Sequence, residues 1–142
     1  MKCLRKILLF LLLLISAGDL NAGNIVVIIN SDNPLEQLTR HQVVDLYMGR
    51  QLLFPDGTSA LPLDQAMHTT ERAIFYRKLV NRRVAEINAY WARLLFSGRA
   101  SPPRSMIDSD EILRTVRNNP GAIGYIDEDQ VDQTVKVVFR LE

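Results

Sequence analysis

Cysteine is almost missing from this sequence: of 142 residues, only Cys3 carries a thiol. Everything after residue 3 is therefore without a disulfide framework, a thiolate nucleophile or a cysteine metal cage. Histidine is nearly as scarce, with His41 and His68 the only two. No carboxylate stands at ligand spacing from His68, so no metal site is expected. The glycine-rich phosphate loop with its lysine is absent, and so is any Gly-x-Ser-x-Gly elbow. With no nucleophile and base to assemble, the sequence predicts no catalytic residues, no metal and no cofactor. Long apolar runs are lacking too. The longest, Ile7 to Ile15, has nine residues and covers about half of a bilayer core at about 1.5 Å per residue, so stable membrane insertion is not expected.

That short run has a definite setting. Lys2, Arg5 and Lys6 precede it, and small or polar residues from Ser16 to Ala22 follow it. This is the order of a secretory signal peptide, with cleavage near Ala22 and a second compatible cut after Ala17. The expected organisation is a leader over 1–22 and one domain over 23–142, working in the periplasm. Cys3 lies ahead of the apolar run, which excludes a lipid anchor on a cysteine behind it. The whole chain has 17 Lys+Arg and 16 Asp+Glu; removing Lys2, Arg5, Lys6 and Asp19 leaves 14 against 15, a formal charge of −1. Nucleic acid is not an expected partner at that balance. The remaining length suits one domain with one apolar core.

Charge is uneven along the chain. Residues 71–104 hold eight bases and two acids, whereas residues 108–132 hold seven acids and two bases. Two solvated faces of opposite sign would explain this, and so would a basic surface that meets an anion or an acidic partner.

The periodicities predict alternating strands and helices. Asn24 to Asn30 encloses five β-branched residues and suits a strand covered on both faces, as in a parallel sheet. Thr39 and Gln42 form a capping box for a helix to Tyr47, with Gly49 as its stop. Phe54-Pro55-Asp56-Gly57 reads as a turn and Ala60 to Leu63 as a short strand. Helices are predicted over 70–80, with Ala73, Ile74, Tyr76 and Leu79 inward, and over 85–96, with Ile87, Tyr90, Trp91, Leu94 and Leu95 at helical spacing. Asp108 and Glu111 cap a further helix to about Asn118. Strands over 122–126 and 134–141 complete an α/β domain on a small parallel or mixed sheet flanked by helices. Met48 and Met67 read as core filling, and Trp91 as a core anchor in preference to an aromatic platform.

One stretch suggests a ligand. His68-Thr69-Thr70 opens a helix whose first turn contains Arg72, and hydroxyls, free backbone N–H groups and a guanidinium at a helix start can hold an anion. Ordinary capping by threonine explains the same residues.

Three segments carry a resemblance. They are Asn30-Ser31-Asp32-Asn33-Pro34 leading to Leu38-Thr39 and Asp45 to Arg50, the Ala89 to Gly98 segment containing Tyr90-Trp91-Ala92-Arg93, and Asn119-Pro120-Gly121-Ala122-Ile123-Gly124-Tyr125. Together they resemble the periplasmic substrate-binding proteins of phosphate ABC transporters, in a short form with a single lobe of the type II periplasmic-binding-protein-like fold. The resemblance implies a non-enzymatic solute-binding domain that takes phosphate or another oxyanion weakly through His68, Thr69, Thr70 and Arg72. Where such proteins have Ser-Gly-Thr at a helix start, this chain has His68-Thr69-Thr70. The length allows one lobe where they have two, so a second copy or an envelope protein is an expected partner. The other reading is an envelope interaction or sensory module that keeps the fold without the ligand.

Overall fold

The computed structural model describes residues 23–142, so the leader expected over 1–22 lies outside the described residues. In chain order the elements are β1 (Ile25–Asn30), α1 (Arg40–Tyr47), β2 (Leu61–Gln65), α2 (Thr70–Val80), α3 (Val84–Phe96), β3 (Arg104–Met106), α4 (Ser109–Asn118), β4 (Ala122–Asp127) and β5 (Val135–Arg140). The five strands form one sheet in the order β3-β2-β4-β1-β5. Strand β2 runs parallel to β3 and β4, while β1 is antiparallel to both β4 and β5. The sheet is mixed.

Strand β1 explains how one apolar run serves two layers. Ile25, Val27 and Ile29 face a core shared with α1, α2 and α3, and Val26 and Ile28 face a second core built on Ile112 and Val116 of α4. Both faces are covered, as the unbroken run predicted, although the pairing around β1 is antiparallel. A strand's burial is set by what lies above and below it, and its pairing direction by how the chain returns, so composition reveals only the first.

The asparagines near the end of β1 and in the following turn are structural. Asn30 Nδ2 donates to Val116 O at 3.0 Å and Arg117 O at 2.8 Å, closing the end of α4. Asn33 Nδ2 donates to Pro120 O at 3.0 Å, while its Oδ1 accepts from Leu35 N at 3.0 Å. The Asn119-Pro120-Gly121 turn is thus tied to the β1 exit. Further along, a Cβ on Gly124 would lie 2.5 Å from Ile112 Cγ2, so β4 and α4 meet at a distance only glycine permits.

The capping box of α1 is present, with Thr39 accepting from Gln42 N and Gln42 from the Thr39 N–H. Three inward assignments differ from the sequence expectation. Ala73 is exposed, and Arg72 and Phe75 take the buried stripe of α2 with Tyr76 and Leu79. Met67 is exposed and not core filling, and Leu95 is also exposed. Trp91 is buried, as expected of an anchor.

Candidate functional site

Strand β2 ends in Asp64-Gln65, and a four-residue loop leads from there into α2. The loop is closed by Thr69, whose hydroxyl accepts from Arg72 N at 3.4 Å and donates to Ala66 O at 2.9 Å. That hydroxyl caps the helix in the ordinary way. His68 and Thr70 are exposed, and Thr69 is half-buried.

Arg72 goes elsewhere. Its side chain turns inward, is 5 % exposed, and Nε donates to Asp64 Oδ2 at 3.1 Å. Asp64 is equally buried and accepts from three further donors: the Tyr76 hydroxyl at 2.8 Å, Gln65 N at 2.9 Å, and the Tyr125 hydroxyl. The arrangement follows from spacing, because Asp64 leaves β2 on the α2 side and positions 72 and 76 of α2 are one helical turn apart. A buried carboxylate is tolerated only when it is paired and fully hydrogen-bonded, and here both oxygens are.

Around this carboxylate stands an aromatic cluster. Phe75 stacks on Tyr125 at 3.8 Å between centroids and meets Tyr47 and Tyr76 edge-on at 4.7 and 5.0 Å. Burial pushes the Tyr47, Tyr76 and Tyr125 hydroxyls well above their ordinary value of 10.0, and the Asp64 charge pushes them the same way. A phenol that resists ionisation in the fold favours the folded state below its unfolded value, and that contribution is lost as pH rises toward the folded value. Alkaline titration is therefore expected to show the phenolate absorbance of these three tyrosines emerging together with loss of near-ultraviolet circular dichroism. A separate ionisation step in the still-folded protein would contradict it.

Between the starts of α2 and α4 lies a cavity of about 210 Å³, lined by Gln65, Thr69, Ser109 and Gln130 together with Glu71, Asp108 and Asp110. Gln65 Nε2 donates to Ser109 Oγ at 2.9 Å across it. Two helix N-termini favour negative charge there, and three carboxylates oppose it. Of the four residues expected to hold an oxyanion, Thr69 lines this cavity. His68 and Thr70 stand outside its lining, and Arg72 borders a different cavity, of about 320 Å³, against α3. Composition offered no signal that Asp64, Arg72 and Tyr125 would meet, since they come from three separate elements. The carboxylates of the α4 start did show, in the acidic stretch over 108–132, but nothing in it tied them to Thr69.

A wider cavity of about 590 Å³ lies between the ends of α1 and α2 and the side of α3, bordered by Arg50, Arg82 and Arg93. Arg50 and Arg82 have only long ion pairs there, to Asp45 at 3.7 Å and Glu86 at 3.8 Å. Among the described residues no cluster of ligating side chains suits a metal ion, and no helix is long and apolar enough to cross a membrane.

The fold is similar to part of several solved structures. The chain is similar to a Clostridium perfringens protein assigned to the phosphate ABC transporter substrate-binding proteins and solved with bound phosphate, at 21 % identity and a TM-score of 0.65 over 82 % of this chain and 44 % of that one. It is similar to an ABC-type phosphate transport receptor from Vibrio cholerae at 18 % identity and a TM-score of 0.65, over 82 % and 45 %. PstS from Borrelia burgdorferi matches at 10 % identity and a TM-score of 0.62, over 82 % and 46 %. At these identities the likeness is one of fold, a mixed α/β lobe shared with part of each of these structures. The chain spans less than half the length of these structures. No family model and no curated protein matches it.

Proposed function

We propose that this chain is an exported, non-catalytic relative of the phosphate-binding proteins whose single lobe touches an oxyanion weakly and does not capture it. The observation that carries this reading is the buried Asp64–Arg72 pair, which withdraws from the helix start the one guanidinium that could meet an anion there. What remains for the ion is the uncapped first-turn N–H groups of α2 and the hydroxyl of Thr70, with His68 and the capping Thr69 beside them. Glu71, Asp108 and Asp110 weaken that contact, and one lobe leaves the ion facing water. Export with cleavage near Ala22 belongs to the same proposal, and sequencing the N-terminus of the mature protein tests it.

Titration calorimetry with phosphate tests the binding claim. Saturation only in the millimolar range is expected, and Thr70→Ala weakens it further. A Kd below about 10 μM, equivalent to about 7 kcal/mol of binding, would contradict the proposal. A second copy supplying the missing wall would appear as a phosphate-dependent dimer in sedimentation.

The second reading, an envelope interaction module, is favoured by the arginines around the 590 Å³ cavity. An acidic envelope protein held there would be released as salt rises.

A further inference from the structure

The 320 Å³ cavity against α3 combines features that neither helix-start capping nor core packing explains. Its floor is the Asp64–Arg72 pair and its walls are Trp91, Leu95, Met67, Pro102 and Pro103. Arg72 Nη1 and Trp91 Nε1 are both buried donors with no hydrogen-bond acceptor among the described residues, and both residues border this one cavity. Arg72 is 5 % exposed and Trp91 6 %. Buried donors without acceptors are rare in native proteins, so two of them at one cavity call for an explanation.

The chemistry of the missing acceptor is constrained. The two unpartnered groups are both donors, so the group they seek must be an acceptor. Asp64 already balances the charge of Arg72, and a full anion placed beside Arg72 would also meet the Asp64 carboxylate. A neutral carbonyl fits that electrostatic setting better than phosphate or a carboxylate does. Around the acceptor the ligand must be apolar, because Trp91 and two prolines form the walls. The mouth continues onto exposed apolar side chains, Met67 at 65 % and Leu95 at 58 %, which favours an extended ligand over an enclosed one. Asn88, which also lines the cavity, has a side-chain oxygen that can accept from an N–H of the same peptide.

We infer that this groove is a docking site for an apolar peptide segment of a partner protein, which presents a backbone carbonyl to Arg72 Nη1 and Trp91 Nε1. The inference is independent of oxyanion binding at the α2 start, and phosphate serves as a separate titrant.

The chain has a single tryptophan, so its indole N–H gives one unambiguous NMR signal. The ¹⁵N-labelled protein is titrated with the capped dipeptide acetyl-Leu-Leu-N-methylamide and, separately, with inorganic phosphate. The expected result is a saturable shift of the Trp91 indole N–H with the dipeptide and none with phosphate. Leu95→Asp, at an exposed position that leaves the core untouched, is expected to weaken the dipeptide about tenfold or more, the effect of losing one buried leucine contact. An indole signal unmoved by the dipeptide overturns the inference. So does a dipeptide response that Leu95→Asp leaves unchanged, or an equal response to phosphate, which would make the groove an anion site.

Discussion

Replacing Asp64 with alanine is expected to destabilise the protein by about 3–5 kcal/mol, the usual cost of leaving one half of a buried ion pair uncompensated. The substitution removes the acceptor of Arg72 Nε, of the Tyr76 and Tyr125 hydroxyls and of Gln65 N at once. The guanidinium then stands buried and unpaired, and two phenols lose their bonds in the same region. Asp64→Asn should cost less, because one acceptor oxygen survives. Combining Asp64→Ala with Arg72→Met is expected to recover part of the loss, since apolar replacement of both partners removes the stranded charge. Urea denaturation checks all three. A loss below about 1 kcal/mol for Asp64→Ala would mean that the pair is solvated in solution and that Arg72 is free to swing toward the helix start.

Phe75→Ala is expected to have an effect of similar size, about 3–5 kcal/mol, through the cavity left behind. The ring is fully buried, stacked on Tyr125 and edge-on to Tyr47 and Tyr76. Its neighbours cannot collapse into the gap easily. The Tyr47 hydroxyl is held by Leu63 O and Ile123 O, and those of Tyr76 and Tyr125 by Asp64. Ala73→Ser, two residues away on the exposed side of α2, should change stability by less than about 0.5 kcal/mol. Equal effects at positions 73 and 75 in thermal denaturation would place the buried stripe of α2 wrongly.

The contrast between those positions shows where the sequence was legible and where it was not. Helix limits were readable because capping is local: Thr39 with Gln42, and Asp108 with Glu111, lie within one turn of the groups they satisfy. The buried face of α2 was misread at Ala73 because an arginine occupies an inward position, and an inward arginine announces itself only through a partner. That partner, Asp64, is eight residues away on another element. The antiparallel setting of β1 was hidden for a similar reason, since pairing direction depends on where the chain returns. The motifs that carried the resemblance proved informative about packing. Asn30 and Asn33 fasten the β1 exit to the end of α4 and the Pro120 turn, and Gly124 lets β4 approach Ile112. They identify a framework.

The central claim is that Arg72 is committed to Asp64 and makes no contact with an anion. The most direct measurement is the Arg72 Nε–H NMR resonance followed through a phosphate titration. The account predicts that this resonance stays in place and protected from solvent exchange, while the Thr69 and Thr70 amides shift only at millimolar phosphate. A saturable movement of Arg72 Nε–H at micromolar phosphate would contradict it, and would show that the lobe opens the pair to hold its ion.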